Sequence, residues 1–148
     1  MSNQAQLQEA VNKQVANWTV LFTKLHNFHW YVKGPHFFVL HEKFEELYNE
    51  SADVVDEAAE RLLAVGGTPV ATMKEYLALA TLDETKGETK ANDMVQSLIE
   101  DYKQLKQELK TLADLSDESG DDSINDFAVG LIVKLDTHIW MLSAYLGE

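Results

Sequence analysis

Apolar residues recur along this chain in steps of three and four, in four long runs. The first comprises Leu7, Val11, Gln14, Trp18, Leu21, Leu25, Phe28 and Val32. These positions share one stripe of a helix of roughly seven turns, interrupted only by Gln14, and Gly34-Pro35 ends it. The second run, Leu40, Phe44, Leu47, Ser51, Val54, Ala58 and Leu62, closes at Gly66-Gly67. A turn this short makes the two helices antiparallel neighbours. A third helix is predicted from about Thr89 to Leu115, with Met94 or Val95, Leu98, Tyr102, Leu105, Leu109 and Leu112 inward. Asp121 or Asp122 caps a fourth, with Phe127, Leu131, Leu135, His138 or Ile139, and Leu142 inward.

Between the second and third helices lies a connection about 20 residues long, from Gly66 to Glu88. Its Thr72-Met73-Lys74-Glu75 has capping-box spacing and opens a short helix through Leu77 and Leu79. A link of that length carries the chain from one end of a bundle to the other. The predicted class is all-α: a single ferritin-like domain over 1–148, a four-helix bundle whose long crossover holds a short extra helix. A different all-helical packing is the alternative.

Composition narrows the function. The 148 residues suffice for one domain with one core, and with no cysteine there is no disulfide or thiolate chemistry. The net charge is −13, which repels phosphate backbones and attracts cations. The first Lys or Arg is Lys13, and the chain closes on Leu146-Gly147-Glu148, so no basic arm for DNA is expected at either end. No apolar signal region and no run apolar enough to span a bilayer is read, which makes a cytoplasmic location the expectation.

The candidate chemistry is a set of histidines and carboxylates: His29, His41, Glu45, Asp56 and Glu60. Imidazole nitrogen with carboxylate oxygen suits iron, zinc or manganese. The Glu-x-x-His pair that ferritin-like proteins project into the bundle interior is absent, because Thr23, His26, Lys33, Phe38 and Leu135 stand three before the five histidines. On the second helix, at about 100° per residue, the apolar stripe clusters within about 40° of its mean, whereas His41 lies near 100°, Glu45 near 140°, Asp56 near 160° and Glu60 near 200°. These residues look away from the subunit's own core or lie on its flank. Asp56 is 15 positions beyond His41, about 22 Å along a helix. No ion bridges that gap. Either the set is accidental, or an antiparallel two-fold copy supplies half of each site, which closes the geometry twice per dimer.

The plainer readings stand beside this one. Glu50, Asp53 and Glu57 read as solvated charge on an outward face, and His138 as a hydrogen-bonded packing residue. His26 is a ligand or a ligand's neighbour.

The run Lys24-Leu25-His26-Asn27-Phe28-His29-Trp30-Tyr31-Val32-Lys33-Gly34, then Phe38-Val39-Leu40-His41-Glu42-Lys43-Phe44-Glu45-Glu46-Leu47-Tyr48, Asp56 with Ala59-Glu60-Arg61, and Asp136-Thr137-His138-Ile139-Trp140-Met141-Leu142 resemble the Dps family of mini-ferritins. The likeness extends over nearly the whole chain and is nearest the Gram-positive type that does not bind DNA. It implies a hollow dodecamer, built from two-fold dimers, that oxidises Fe(II) with hydrogen peroxide and stores ferric mineral, protecting the cell from oxidative damage. By position it implies a two-iron centre at each two-fold interface, with His29 and His41 from one subunit and Asp56 and Glu60 from its partner. Glu45 would serve a second, weaker iron, directly or through water. Trp30 would be a sacrificial electron donor or an interface packing residue.

The stretch from Asp114 to Asp126 holds six acids and no base. It reads either as a solvated loop before a helix N-terminus or, by the resemblance, as the lining of a three-fold pore for iron uptake, with Asp121 and Asp126 leading and Asp122 next. Two rival classes remain, a DNA-compacting protein and a non-catalytic helical scaffold.

Overall fold

The computed structural model describes residues 2–148. Five helices follow in order: α1 (Asn3–Tyr31), α2 (Phe37–Ala64), α3 (Met73–Leu79), α4 (Ala91–Glu118) and α5 (Asp122–Tyr145), with no strand among the described residues. Helices α1 and α2 form one antiparallel hairpin and α4 and α5 another, and α1 packs on α4 to join them. Every inward position predicted for the third helix is buried, Met94 and Val95 both included. On α5, Phe127, Leu131, Leu135 and Leu142 are buried, while His138 and Ile139 share the flank, each half-buried.

The ends follow local chemistry. Helix α1 stops at Tyr31, short of Gly34-Pro35, because Val32 takes an extended conformation that turns its side chain into the core. The Thr72 hydroxyl accepts from the Glu75 amide at 3.2 Å to start α3, and the Glu75 carboxylate returns to the Ala71 amide at 3.1 Å, one residue earlier than the usual capping box. The bond from Ala71, and after it one that the Thr72 hydroxyl donates to the same carboxylate at 2.9 Å, hold the Glu75 carboxyl below its ordinary range. Helix α2 ends in a Schellman turn, with Gly66 N–H on Leu63 O and Gly67 N–H on Leu62 O. Gly66 there has φ +86, which a side chain would strain. Helix α4 ends the same way: Gly120 (φ +70) donates to Asp117 O and Asp121 to Ser116 O. Asp121 then turns its carboxylate onto the Ile124 amide at 2.9 Å and caps α5. One residue terminates one helix and starts the next.

Several polar residues inside the bundle are paired, while the buried Tyr102 hydroxyl has no partner among the described residues. Gln14, the break in the first stripe, accepts from the Trp18 indole at 3.0 Å. Lys24 and Asp101 form a buried pair at 2.8 Å between α1 and α4, and burial raises the Asp101 carboxyl despite the opposing Lys24. Glu50 corrects the sequence reading of a solvated charge: it bonds His138 Nε2 at 2.9 Å and 3.1 Å and ties α2 to α5. His138 is thus the hydrogen-bonded packing residue expected.

The crossover is strapped to α1 by two asparagines. Asn12 donates to Thr68 O and accepts from the Val70 amide, at 3.0 Å and 2.9 Å. Asn17, fully buried, accepts from the Thr81 and Leu82 amides at 2.7 Å and 3.1 Å and donates to Thr81 and Glu108. Extended backbone crossing a helix has amides that need acceptors, and these side chains supply them.

Helix α5 is long and apolar enough to pass for a membrane span by length and composition alone, as core helices of bundles also do. The reason is a second apolar face. Beyond its core residues it exposes Val129, Val133, Trp140 and Met141.

Replacing Asn17 by Ala strands two backbone amides and is expected to cost about 3 kcal/mol. Hydrogen exchange should show fast exchange at Thr81 and Leu82 in the variant and protection in the parent, and equal protection in both would refute the strap.

Candidate metal centre

The α1–α2 hairpin brings the last turn of α1 beside the first turn of α2, so that His29 meets His41. Their rings stack with centroids 3.7 Å apart and planes 11° from parallel. Each ring is anchored to the other residue's backbone: His29 Nδ1–H donates to His41 O at 2.6 Å, and His41 Nδ1–H donates to His29 O at 2.8 Å. A carbonyl oxygen only accepts, so both hydrogens lie on Nδ1. In the neutral rings both Nε2 atoms keep a free lone pair. This is the outer bond that sets tautomer and aim in metal-binding histidines.

Glu45, one turn along α2, carries its Oε1 to 3.9 Å from His29 Nε2. Tyr48 closes the wall, its ring edge-on to His29 with centroids 5.3 Å apart and stacked on His26 at 3.8 Å. Burial pushes the Tyr48 phenol up, and the neighbouring Glu45 charge pushes it further. Phe37 stacks on His41 at 4.9 Å from the other side. His26 stands apart from the histidine pair. Its Nδ1–H donates to Phe22 O at 3.0 Å, and its ring lies between Phe22, Tyr48 and Trp30. Trp30 is 67 % exposed.

Asp56 and Glu60 lie further along the same unbroken α2, one turn apart on one exposed face. With Asp53, Glu57, Arg61 and Ala64 they line a shallow pocket of ≈ 450 Å³. Among the described residues of one subunit, no three His, Asp or Glu side chains converge on a common point. The chain therefore carries a nitrogen half, with Glu45 beside it, and an oxygen half, separated along a rigid rod.

Glu57 is also not a free charge, since Arg61 holds it at 2.9 Å. The same guanidinium donates to Ser123 O and reaches Asp126 at 3.5 Å, joining the end of α2 to the start of α5. Of the acids singled out near that corner, Asp122 is exposed, Asp126 is exposed and loosely paired, and Asp121 is committed to its cap.

Sequence reasoning missed Tyr48 and the two carbonyl anchors. Tyr48 could have been found, because it stands seven positions after His41 and three after Glu45, on their side of α2. The anchors depend on how two backbones dock and leave no mark in side-chain identity.

The ferritin-like domain family matches residues 8–148. General stress protein 20U of Bacillus subtilis is 56 % identical over 142 residues, covering 96 % of this chain and 98 % of that one. DNA protection during starvation protein 2 of Bacillus anthracis is 55 % identical over 144 residues, covering 97 % and 98 %. The crystal structure of a Dps protein from Bacillus brevis superposes with a TM-score of 0.96 at 46 % identity, over 99 % of this chain and 98 % of that one.

The double duty of Asp121 gives a test that separates structure from ion handling. Asp121→Ala is expected to cost about 1 kcal/mol through the lost cap, whereas Asp121→Asn, which still accepts from an amide, should cost only a few tenths. Denaturant midpoints at unchanged slope would check this, and equal losses in the two variants would contradict the capping role.

Proposed function

Because the chain belongs to the ferritin-like Dps family, an iron-storing family, we propose that it oxidises Fe(II) at centres shared between two subunits. The observation that carries this reading is the split site. Two imidazoles with free Nε2 atoms sit near one end of α2, and two carboxylates lie 15 and 19 positions beyond His41 on the same helix. A second copy related by a two-fold axis, its α2 antiparallel to the first, sets one chain's His29 and His41 against the partner's carboxylates, Asp56 and Glu60. The arrangement repeats at the other end of the interface.

His29, His41, Asp56 and Glu60 hold the first iron, and Glu45 serves the second and weaker position. Two Fe(II) ions give one electron each to hydrogen peroxide, which takes up two protons and leaves as two waters. Delivering both electrons together avoids free hydroxyl radical. Anionic oxygen ligands favour the more highly charged ion, so they stabilise Fe(III) over Fe(II) and drive oxidation forward. Trp30, exposed beside His29, supplies an electron when the pair of irons is incomplete.

Self-association has independent support. Helix α3 buries none of its residues and exposes Met73 and Leu77, and Phe38, Val133 and Trp140 are exposed as well. Apolar surface of this extent calls for a cover. The assembly in this reading is a cytoplasmic dodecameric shell storing ferric mineral, with acids at the α4–α5 corner drawing iron inward. DNA binding is not part of it, because a chain at −13 opposes phosphate.

The shared centre is tested by complementation. His41→Ala and Asp56→Ala, made separately, should each abolish most ferroxidase activity. When the two variants are unfolded and co-assembled, every mixed two-fold pair contains one site with both lesions and one wholly native site. Random mixing makes about half the pairs mixed, so about a quarter of all sites should recover. An intact mixed shell with no regained activity would sink the model.

The uptake route is tested with Asp121→Asn combined with Asp126→Asn, which keeps a capping side chain on α5. Iron uptake at low salt should slow while the ferroxidase ligands stay intact, and the difference should shrink as ionic strength rises. Uptake at the parent rate at low salt would make the acidic corner a solvated surface only.

A further inference from the structure

We infer that Tyr102 is an internal one-electron donor, whose phenolic proton passes to Nδ1 of His138 as the electron leaves. This role goes beyond the proposed iron centre and does not depend on it, because the groups concerned lie within one subunit's bundle.

Each of the four long helices contributes one side chain: Trp18 from α1, Glu50 from α2, Tyr102 from α4 and His138 from α5. Tyr102 is fully buried, and its ring lies 5.3 Å from that of His138 and 6.3 Å from that of Trp18, centroid to centroid. His138 Nε2 bonds both oxygens of Glu50, at 2.9 Å and 3.1 Å. An ionised carboxylate only accepts, so the imidazole hydrogen lies on Nε2, and in the neutral ring Nδ1 carries the lone pair. That Nδ1 is buried and has no hydrogen-bond partner among the described residues, and the same holds for the Tyr102 hydroxyl. A donor and an acceptor, both unpaired, thus stand on neighbouring rings. Core packing alone asks for neither. Phenylalanine would fill the Tyr102 position without stranding a hydroxyl, and buried polar atoms are normally paired because desolvating them costs stability.

The pair fits oxidation of a phenol. Burial, and after it the charges of Glu50 and Asp101, push the Tyr102 phenol well above its ordinary value, so no phenolate forms beforehand. The electron must then leave together with the proton, which requires a base inside the bundle. His138 supplies one, oriented by Glu50 in the way a third group orients the base of an activated nucleophile. Trp18 lacks this provision, since its indole donates to the neutral amide oxygen of Gln14. In the step, the Tyr102 O–H bond breaks, one electron goes to the oxidant, and the proton forms a bond to His138 Nδ1. A neutral tyrosyl radical remains, beside an imidazolium whose charge faces Glu50. The oxidant is a one-electron acceptor of the hydroxyl-radical class, which peroxide yields from a lone Fe(II), and it leaves as hydroxide. Fe(II) then restores the phenol by giving one electron to the radical while His138 returns the proton, and Fe(III) is left.

The test uses the iron-free assembled protein, photo-oxidised with a ruthenium tris-bipyridyl sensitiser and persulfate, so that no ferroxidase centre is needed. Freeze-quench electron paramagnetic resonance reads the radical. The parent should give a tyrosyl signal that outlives those of exposed aromatic residues and forms more slowly in heavy water. Tyr102→Phe should lose this persistent signal and keep a denaturant midpoint at or above the parent's, because it removes an unpaired hydroxyl. His138→Gln, whose amide still donates to Glu50 but offers no base, should lose it too. A parent without a persistent tyrosyl signal would overturn the inference, and so would a Tyr102→Phe variant that keeps the signal at parent intensity. An undiminished signal in His138→Gln, or equal rates in light and heavy water, would overturn the proton transfer to His138. None of these outcomes bears on the shared iron centre, which stands or falls by its own complementation test.

Discussion

A helix cannot turn back on itself, and that constraint governs how this chain's chemistry is arranged. His41 and Asp56 ride on one uninterrupted α2, from Phe37 to Ala64, so no rearrangement of side chains brings them to a common ion. A long rigid helix usually serves as scaffold for a site built elsewhere. Here the rod keeps the imidazole pair and the carboxylate pair apart, so the proposed centre needs a pair of chains. Within the bundle the ionisable groups pair instead across helices, Glu50 with His138 and Lys24 with Asp101.

The nitrogen half depends on a second form of economy. His29 and His41 use each other's carbonyls as anchors, so the turn that joins α1 to α2 also sets the tautomer of both rings. Fold and ring orientation are not separable at this point, since a slip of one residue between the helices would move both carbonyls off both rings. The oxygen half has no such lock. Its carboxylates stand on an exposed face next to Arg61, the single arginine of the chain, whose contacts hold the α2 end to α5.

Much of the bundle was legible because helical spacing is a property of covalent geometry. The stripes of α1, α2 and α4 read in steps of three and four are the ones the core buries, and the separation of the half-sites needs only the rise per residue. What escaped reading depends on partners remote in sequence. Asn12 and Asn17 look like weak helix residues until the crossover lies against them. Glu50 looks like surface charge until His138, 88 positions away, meets it. The outward apolar face of α5 cannot be told from an inward one in sequence, which is why the helix passes as a membrane span by composition. Tyr48 was within reach, since its spacing on α2 puts it beside Glu45, but an aromatic at helical spacing is ordinarily core.

The corner at Asp121 bears on how this molecule comes apart. Because its amide closes α4 and its carboxylate opens α5, neither helix end can fray without releasing the other. The acidic stretch ahead of α5 would ordinarily be a soft point, rich in like charges and short of apolar contacts. Shared termination makes it part of one cooperative opening unit with both helices. This acidic segment is thereby kept in register with the bundle and does not move as a loose tether.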